Sequence, residues 1–201
     1  MIKAIIFDWG GVLIDNPSDD LITHCANHLG TTKEVLKKTV DNYIFDFQKG
    51  TLSEEDLWKQ VCNELNINTP TTNSLWQEAV KNVFVDKKET HSLIEKLKEN
   101  GYKIGFLSNT EIPTMTYFHD NNYGRHFDET VFSCLENTAK PEKEIYHIIL
   151  KKLQLEPHET IFIDDKPEYI DGATKVGING IVFQDIEQVK KELNDLGIKT
   201  N

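Results

Sequence analysis

Short, nearly unbroken apolar runs punctuate the chain at KAIIF (3–7), YKIGFLS (102–108), ETVFS (129–133), ETIFID (159–164) and GIVF (180–183). Runs of Ile, Val and Phe without polar alternation are the pattern of parallel strands covered on both faces; a half-solvated strand would alternate. Helical patterns lie between these runs. DKKETHSLIEKLKENG (86–101) begins with Asp86 and Glu89 in capping-box spacing and ends at Gly101, suited to a C′ position. Pro141 opens PEKEIYHIILKKL, and Pro167 opens a shorter segment ending near Gly177, each as a proline in a first helical turn. Strand and helix alternate from residue 86 onward, which predicts an α/β fold: a Rossmann-like core built on a parallel sheet.

The first strand breaks the alternation. Residues 16–85 separate it from the next core helix, far more than the usual βα loop of about 2–6 residues. That stretch is itself helical in pattern. Leu21, Leu29, Val35, Leu36, Val40, Ile44 and Phe47 recur at helical spacings, Ser53–Asp56 resembles a capping box ahead of LWKQVCNEL, and Leu75–Val83 predicts a further helix. The expected organisation is a core made of residues 1–15 and 86–201, with residues 16–85 inserted as an α-helical cap over the sheet. The pattern holds no internal repeat.

Charge narrows the possible partners. The formal net charge is −11, and Arg125 is the only arginine, so a broad nucleic-acid surface is excluded for want of clustered cations. An acidic surface also disfavours anionic lipid, and no run approaches the ~18 apolar residues of a membrane span. The run after Met1 is too short for a secretion signal. Cys25, Cys62 and Cys134 are widely spaced and odd in number, which argues against both a disulfide framework and a CxxC zinc site. The expectation is a cytoplasmic protein; oligomeric state is not legible.

Ligands of open parallel α/β sheets bind beyond the carboxyl ends of the strands. Four polar features fall at such ends: Asp8 after KAIIF, Ser108-Asn109-Thr110 after KIGFL, Lys140 before Pro141, and Asp164-Asp165 after TIFI. An aspartate after a strand is often only a turn or cap residue, but the ordered set suits phosphoryl transfer. A carboxylate can accept a phosphoryl group covalently, yet a phosphate dianion repels it, so a cation must stand between them. Asp8, Asp164 and Asp165 offer the hard oxygens that Mg²⁺ takes. The Ser108 hydroxyl and nearby N–H groups can hold phosphate oxygens, and Lys140 can neutralise the transferring group.

These stretches resemble the motifs of the haloacid dehalogenase (HAD) superfamily, on its phosphatase side. FDWGGVL is similar to its first motif, LSNT to its second, Lys140 in AKPEKEIY to its third and FIDD to its fourth, across residues 3 to about 183. GTLSEEDLW (50–58) resembles a cap stretch of glucose-1-phosphate phosphatase-type members. The resemblance implies an HAD-like hydrolase that uses Mg²⁺ to cleave a small phosphorylated metabolite of sugar-phosphate type. Asp8 is then the nucleophile and a metal ligand. Ser108 and Asn109 bind substrate, and Lys140 steadies both phosphate and Asp8. Asp165 is the direct metal carboxylate, and Asp164 binds directly or through water.

Two departures bear on chemistry. The superfamily's phosphatases usually carry a second Asp two residues after the nucleophile, as general acid and base; this chain has Gly10, which keeps only the main-chain carbonyl as a metal ligand. A cap residue, Asp15 or a water could replace the lost carboxyl. Many relatives also have Asn where Tyr169 stands. Two other readings remain: a metal-independent 2-haloacid dehalogenase, which needs no proton donor, and a catalytically weak HAD fold that binds a ligand or protein. His24 and His28, four apart, could share a helix face but lack a third ligand, and are expected as solvated surface. Trp58 and Trp76 are expected between cap helices, with Trp9 either facing the site or filling the core.

Overall fold

The computed structural model describes residues 1–200. In chain order the elements are β1 (Ala4–Phe7), α1 (Ser18–Leu29), α2 (Lys33–Val40), α3 (Ile44–Gln48), α4 (Glu54–Leu65), α5 (Leu75–Val83), α6 (Lys88–Glu99), β2 (Lys103–Ser108), α7 (Ile112–Asp120), β3 (Glu129–Phe132), α8 (Ser133–Glu136), α9 (Lys143–Leu153), β4 (Thr160–Asp164), α10 (Pro167–Lys175), β5 (Asn179–Val182) and α11 (Ile186–Asp195). The five strands form one parallel sheet in the order β3-β2-β1-β4-β5. Each apolar run of the sequence therefore supplies one strand.

Alternate residues of each strand feed opposite faces of the sheet. Ile5, Phe7, Ile104, Phe106, Ile161 and Ile163 pack with Leu93, Ile94 and Leu97 of α6 and Val189 and Leu193 of α11. Ala4, Ile6, Leu107 and Phe162 pack on the other face with Ile145, Tyr146 and Ile149 of α9 and Ala173 of α10. This two-sided burial is why the strands read as continuous hydrophobic runs.

Helices α1–α5 gather a separate apolar cluster that includes Leu21, Cys25, Leu36, Val40, Phe47, Trp58, Trp76 and Val80. Trp58 and Trp76 sit 6.3 Å apart between their centroids, and Phe47 meets Trp76 edge-on at 5.2 Å. Fully burying a side chain of this size contributes about 1.5–3 kcal/mol, so these anchors outweigh the weak propensity of such short helices. Thr32, Ser53 and Ser74 cap α2, α4 and α5 by accepting from the N–H groups of Val35, Asp56 and Gln77. No described helix is long and apolar enough to cross a membrane.

Three local expectations need correction. Asp86 does not cap a helix; α6 starts at Lys88. Asp15 N–H donates to the Val85 carbonyl and Lys87 N–H to the Leu13 carbonyl, each at 2.9 Å, and this pairing holds Asp86 extended. Its carboxylate instead accepts from the Tyr123 hydroxyl at 2.7 Å. Pro141 precedes α9 rather than opening it, because Glu142 takes the N-cap position and folds its carboxylate back onto the Thr138 hydroxyl and the Ala139 N–H. Val35 is exposed; Leu36 and Val40 carry the buried face of α2.

Candidate active site

Register alone brings the chemistry together. Phe7 lies level with Phe106 on β2 and Ile163 on β4, so Asp8, Ser108, Asp164 and Asp165 all emerge at one edge of the sheet. This is where the chain switches from β2 on one side of β1 to β4 on the other, the expected place for a ligand. Lys140 arrives from the loop ahead of α9.

Lys140 is only 1% exposed. Its Nζ donates to Asp8 Oδ1 at 2.8 Å, Asp164 Oδ2 at 2.6 Å and the Leu107 carbonyl at 3.2 Å, which uses all three of its protons. Burial works to lower the Lys140 pKa, but Asp164 and Asp8 outweigh it and hold the group above its ordinary value as an ammonium. Asp164 also accepts the Lys166 N–H on Oδ1 at 2.9 Å, so both of its oxygens are engaged. Burial pushes the Asp164 carboxyl up, and the Lys140 ammonium pulls it back.

Asp165 is placed differently. Its Oδ2 accepts from Asn16 Nδ2 at 3.3 Å, while its Oδ1 is buried with no partner among the described residues. Burial, followed by the nearby Asp8, shifts its carboxyl upward. Ligand oxygens of Asp8, Asp164 and Asp165 lie within 4.8 Å of one another. An orphaned buried oxygen inside a cluster of three carboxylates is a poor arrangement for an empty protein, and a good one for a hard divalent cation. The residues thus fit Mg²⁺.

The two glycines behind Asp8 serve different ends. Gly11 has φ +80°, and a Cβ there would overlap the Asp165 carboxylate, so both the turn and the approach of Asp165 require glycine. Gly10 has no such constraint. A Cβ on Gly10 would meet only Pro17 Cδ, at 3.5 Å, an ordinary contact.

Asn109 turns its amide to the Lys140 main chain, accepting the N–H at 2.8 Å and donating to the carbonyl at 2.9 Å. Its Nδ2 also reaches the Tyr169 hydroxyl at 3.3 Å. The Tyr169 ring lies 4.8 Å from Lys140 Nζ and 4.9 Å from Lys166 Nζ, close enough for cation–π attraction to both. Tyr169, at the position where many relatives have an asparagine, thus contacts both lysines.

A cavity of about 370 Å³ opens above this edge, lined by Asp8, Gly10, Ser108, Asn109, Lys140 and Lys166 below and by residues of α1, α2, α3 and α5 above. Trp9 contributes to its wall but mainly fills the core, with edge contacts to Phe84, Phe106, Phe118 and Tyr123. Asp15 lies outside the wall and faces Lys87 at 3.7 Å, which removes it as a stand-in for the missing carboxyl. His24 and His28 also lie outside it.

Sequence reasoning missed Gly11, Lys166 and Glu111. Glu111, buried at the N-cap of α7, lines the cavity and ties the inserted helices to the core. It accepts from Gln48 Nε2 at 3.0 Å, Trp76 Nε1 at 3.2 Å and Thr114 Oγ1 at 2.8 Å. Its place three residues after Ser108 is the one signal that could have drawn attention to it.

Known proteins resemble the chain in sequence and in fold. A sesquiterpene phosphatase of Aspergillus oryzae is 29% identical over 196 residues, spanning 96% of each chain. A D-ribitol-5-phosphate phosphatase of Bacteroides thetaiotaomicron is 25% identical over 189 residues, covering 88% of this chain and 89% of its own. Among solved structures, a HAD-like hydrolase from Porphyromonas gingivalis matches with a TM-score of 0.81 at 21% identity over 99% of both chains. A HAD family enzyme from B. thetaiotaomicron, in complex with magnesium and inorganic phosphate, matches with a TM-score of 0.78 at 23% identity, over 94% of this chain and 99% of that one. At such identities the structural matches establish the fold. The family match spans residues 2–177, and the chain belongs to the haloacid dehalogenase-like hydrolase family.

Proposed function

We propose that this hydrolase is a Mg²⁺-dependent phosphatase of small phosphorylated metabolites, working through an aspartyl-phosphate on Asp8. The observation that carries the reading is that Asp8, Ser108 and Lys140 line one cavity, with Asp164 and Asp165 clustered beside Asp8. Asp8 Oδ1 is committed to Lys140, leaving the other carboxylate oxygen to attack phosphorus. The phosphorus–oxygen bond to the leaving group then breaks, and the alcohol takes its proton from solvent. Water cleaves the aspartyl-phosphate and releases inorganic phosphate. Lys140 orients Asp8 and offsets charge on the transferring group; Ser108 and the Asn109 N–H hold its oxygens. Bound Mg²⁺, held by Asp8, Asp165, the Gly10 carbonyl and Asp164, supplies charge neutralisation between carboxylate and phosphate. Residues 16–85 serve as the cap that closes over the substrate.

The two phosphatases named above act on a terpenoid and on a polyol phosphate. The expected sugar phosphate belongs to the second kind. The test is a panel of both, assayed with Mg²⁺ and with chelator, on the natural chain and on Asp8→Asn. Turnover that needs both metal and Asp8 supports the reading. Chloride release from 2-haloacids without metal would replace it with a dehalogenase. If no substrate turns over and beryllium fluoride fails to bind at Asp8, the chain is a binding protein instead.

A further inference from the structure

We infer that the part of the substrate beyond the phosphate is apolar, an alkyl, prenyl or aryl body, and not a polyol. The inference rests on the phosphatase reading and adds the chemistry of the rest of the molecule. Away from Asp8, the cavity wall is built by Leu21, Ile22, Val40, Ile44, Phe45 and Trp76. Several of the polar side chains of that side are paired with one another. Lys37 Nζ holds both oxygens of Asp41, at 3.0 and 2.8 Å. Gln48 donates one amide proton to Glu111 at 3.0 Å, and the indole N–H of Trp76 goes to Glu111 and Thr114 at 3.2 and 3.1 Å.

A sugar or sugar alcohol in this space would give up water at several hydroxyls and meet few partners that are not already paired. Each hydroxyl left unpaired weakens binding by roughly five- to 150-fold. A hydrocarbon body pays no such penalty. Each methylene moved from water onto this wall tightens binding by about fourfold. The two costs point the same way, and the wall discriminates by what it withholds from a polyol as much as by what it gives an alkyl chain.

The experiment compares primary alcohol phosphates, so that the leaving group stays alike. With Mg²⁺, kcat/KM should climb about fourfold per methylene from ethyl to hexyl phosphate, until the cavity is filled, and hexyl phosphate should exceed ribitol 5-phosphate by more than about tenfold. Phe45→Ala and Ile44→Ala should each lower the hexyl-to-ethyl ratio several-fold. A flat chain-length series, or a preference for the polyol, overturns the inference. Alkylphosphonates, which cannot be hydrolysed, separate the two claims. If no phosphate turns over but phosphonates raise Tm more strongly as the chain lengthens, the phosphatase reading fails and the apolar site stands. If phosphates turn over and phosphonate length has no effect, the phosphatase stands and the apolar site fails. Failure of every phosphonate to bind, with no phosphate turned over, counts against both.

Discussion

The side chain of Asn109 grips the main chain of Lys140 on both polar groups, accepting its N–H at 2.8 Å and donating to its carbonyl at 2.9 Å. One amide thereby fixes the backbone from which the Lys140 ammonium reaches Asp8 and Asp164. Asn109→Ala leaves two partly buried main-chain groups without their partner, a loss of about 1–3 kcal/mol. A misplaced Lys140 should then lower kcat/KM by about 10²-fold. Asn109→Asp keeps the acceptor and loses the donor, so urea unfolding should put it between Ala and the natural residue. Equal stability of all three chains would contradict this role.

Lys140 itself carries the larger penalty. It is a buried cation between two carboxylates that are themselves 9% and 0% exposed. Lys140→Met strands those charges and should cost about 3–5 kcal/mol in chelator. Mg²⁺ should restore more stability to the variant than it adds to the natural chain, because the freed carboxylates retain a cation partner. Urea midpoints measured with and without Mg²⁺ decide the matter; an unchanged midpoint in chelator would show that the ion pair contributes nothing net.

Gly10 tests proton transfer separately from metal binding. Its backbone is in no conformation that demands glycine, and a Cβ there has an ordinary neighbour in Pro17. Gly10→Asp should therefore fold and keep its main-chain carbonyl. A new carboxyl beside the leaving oxygen should raise kcat/KM by about 10²–10⁴-fold for alkyl phosphates, whose alcohols leave poorly without protonation. Aryl phosphates, which leave well unaided, should gain far less. No gain for alkyl phosphates, with Mg²⁺ still bound, would mean that a proton donor is already present.

How much of this was legible in the sequence depends on the range of the forces involved. The strands were readable because two-sided burial leaves a local, uninterrupted apolar signature, as in Ile5-Ile6-Phe7. The clustering of Asp8, Asp164 and Asp165 was readable because strand ends place them, and strands are local too. Asp86 was misread because its position is set by pairing with Ile14, a contact far away in sequence. Gly11 was missed for the same reason: what forbids a side chain there is Asp165, across the sheet. Glu111 looked like any polar residue after LSNT; only the folded chain brings Gln48 and Trp76 to it.

Glu111 gives the last prediction its sign. Burial pushes its carboxyl above the usual 4.5, and hydrogen bonds from its own backbone, Thr114, Gln48 and Trp76 reverse only part of that shift. Between 4.5 and the raised folded value, the native chain holds a proton that the unfolded chain has released. Stability from this group is thus highest at and below the unfolded value, is lost as pH rises through that window, and changes no further above it. Glu111→Gln removes the titration, and the Gln48 amide can turn over to offer its oxygen in place of its protons. Measured against the natural chain, the variant should therefore be relatively more stable near pH 8 than near pH 5. Urea unfolding at the two pH values reads the difference directly. A stability gap between the two chains that stays constant across that range, or moves the other way, would show that Glu111 is held ionised at little cost by its three donors and is not a strained carboxyl in the cavity wall.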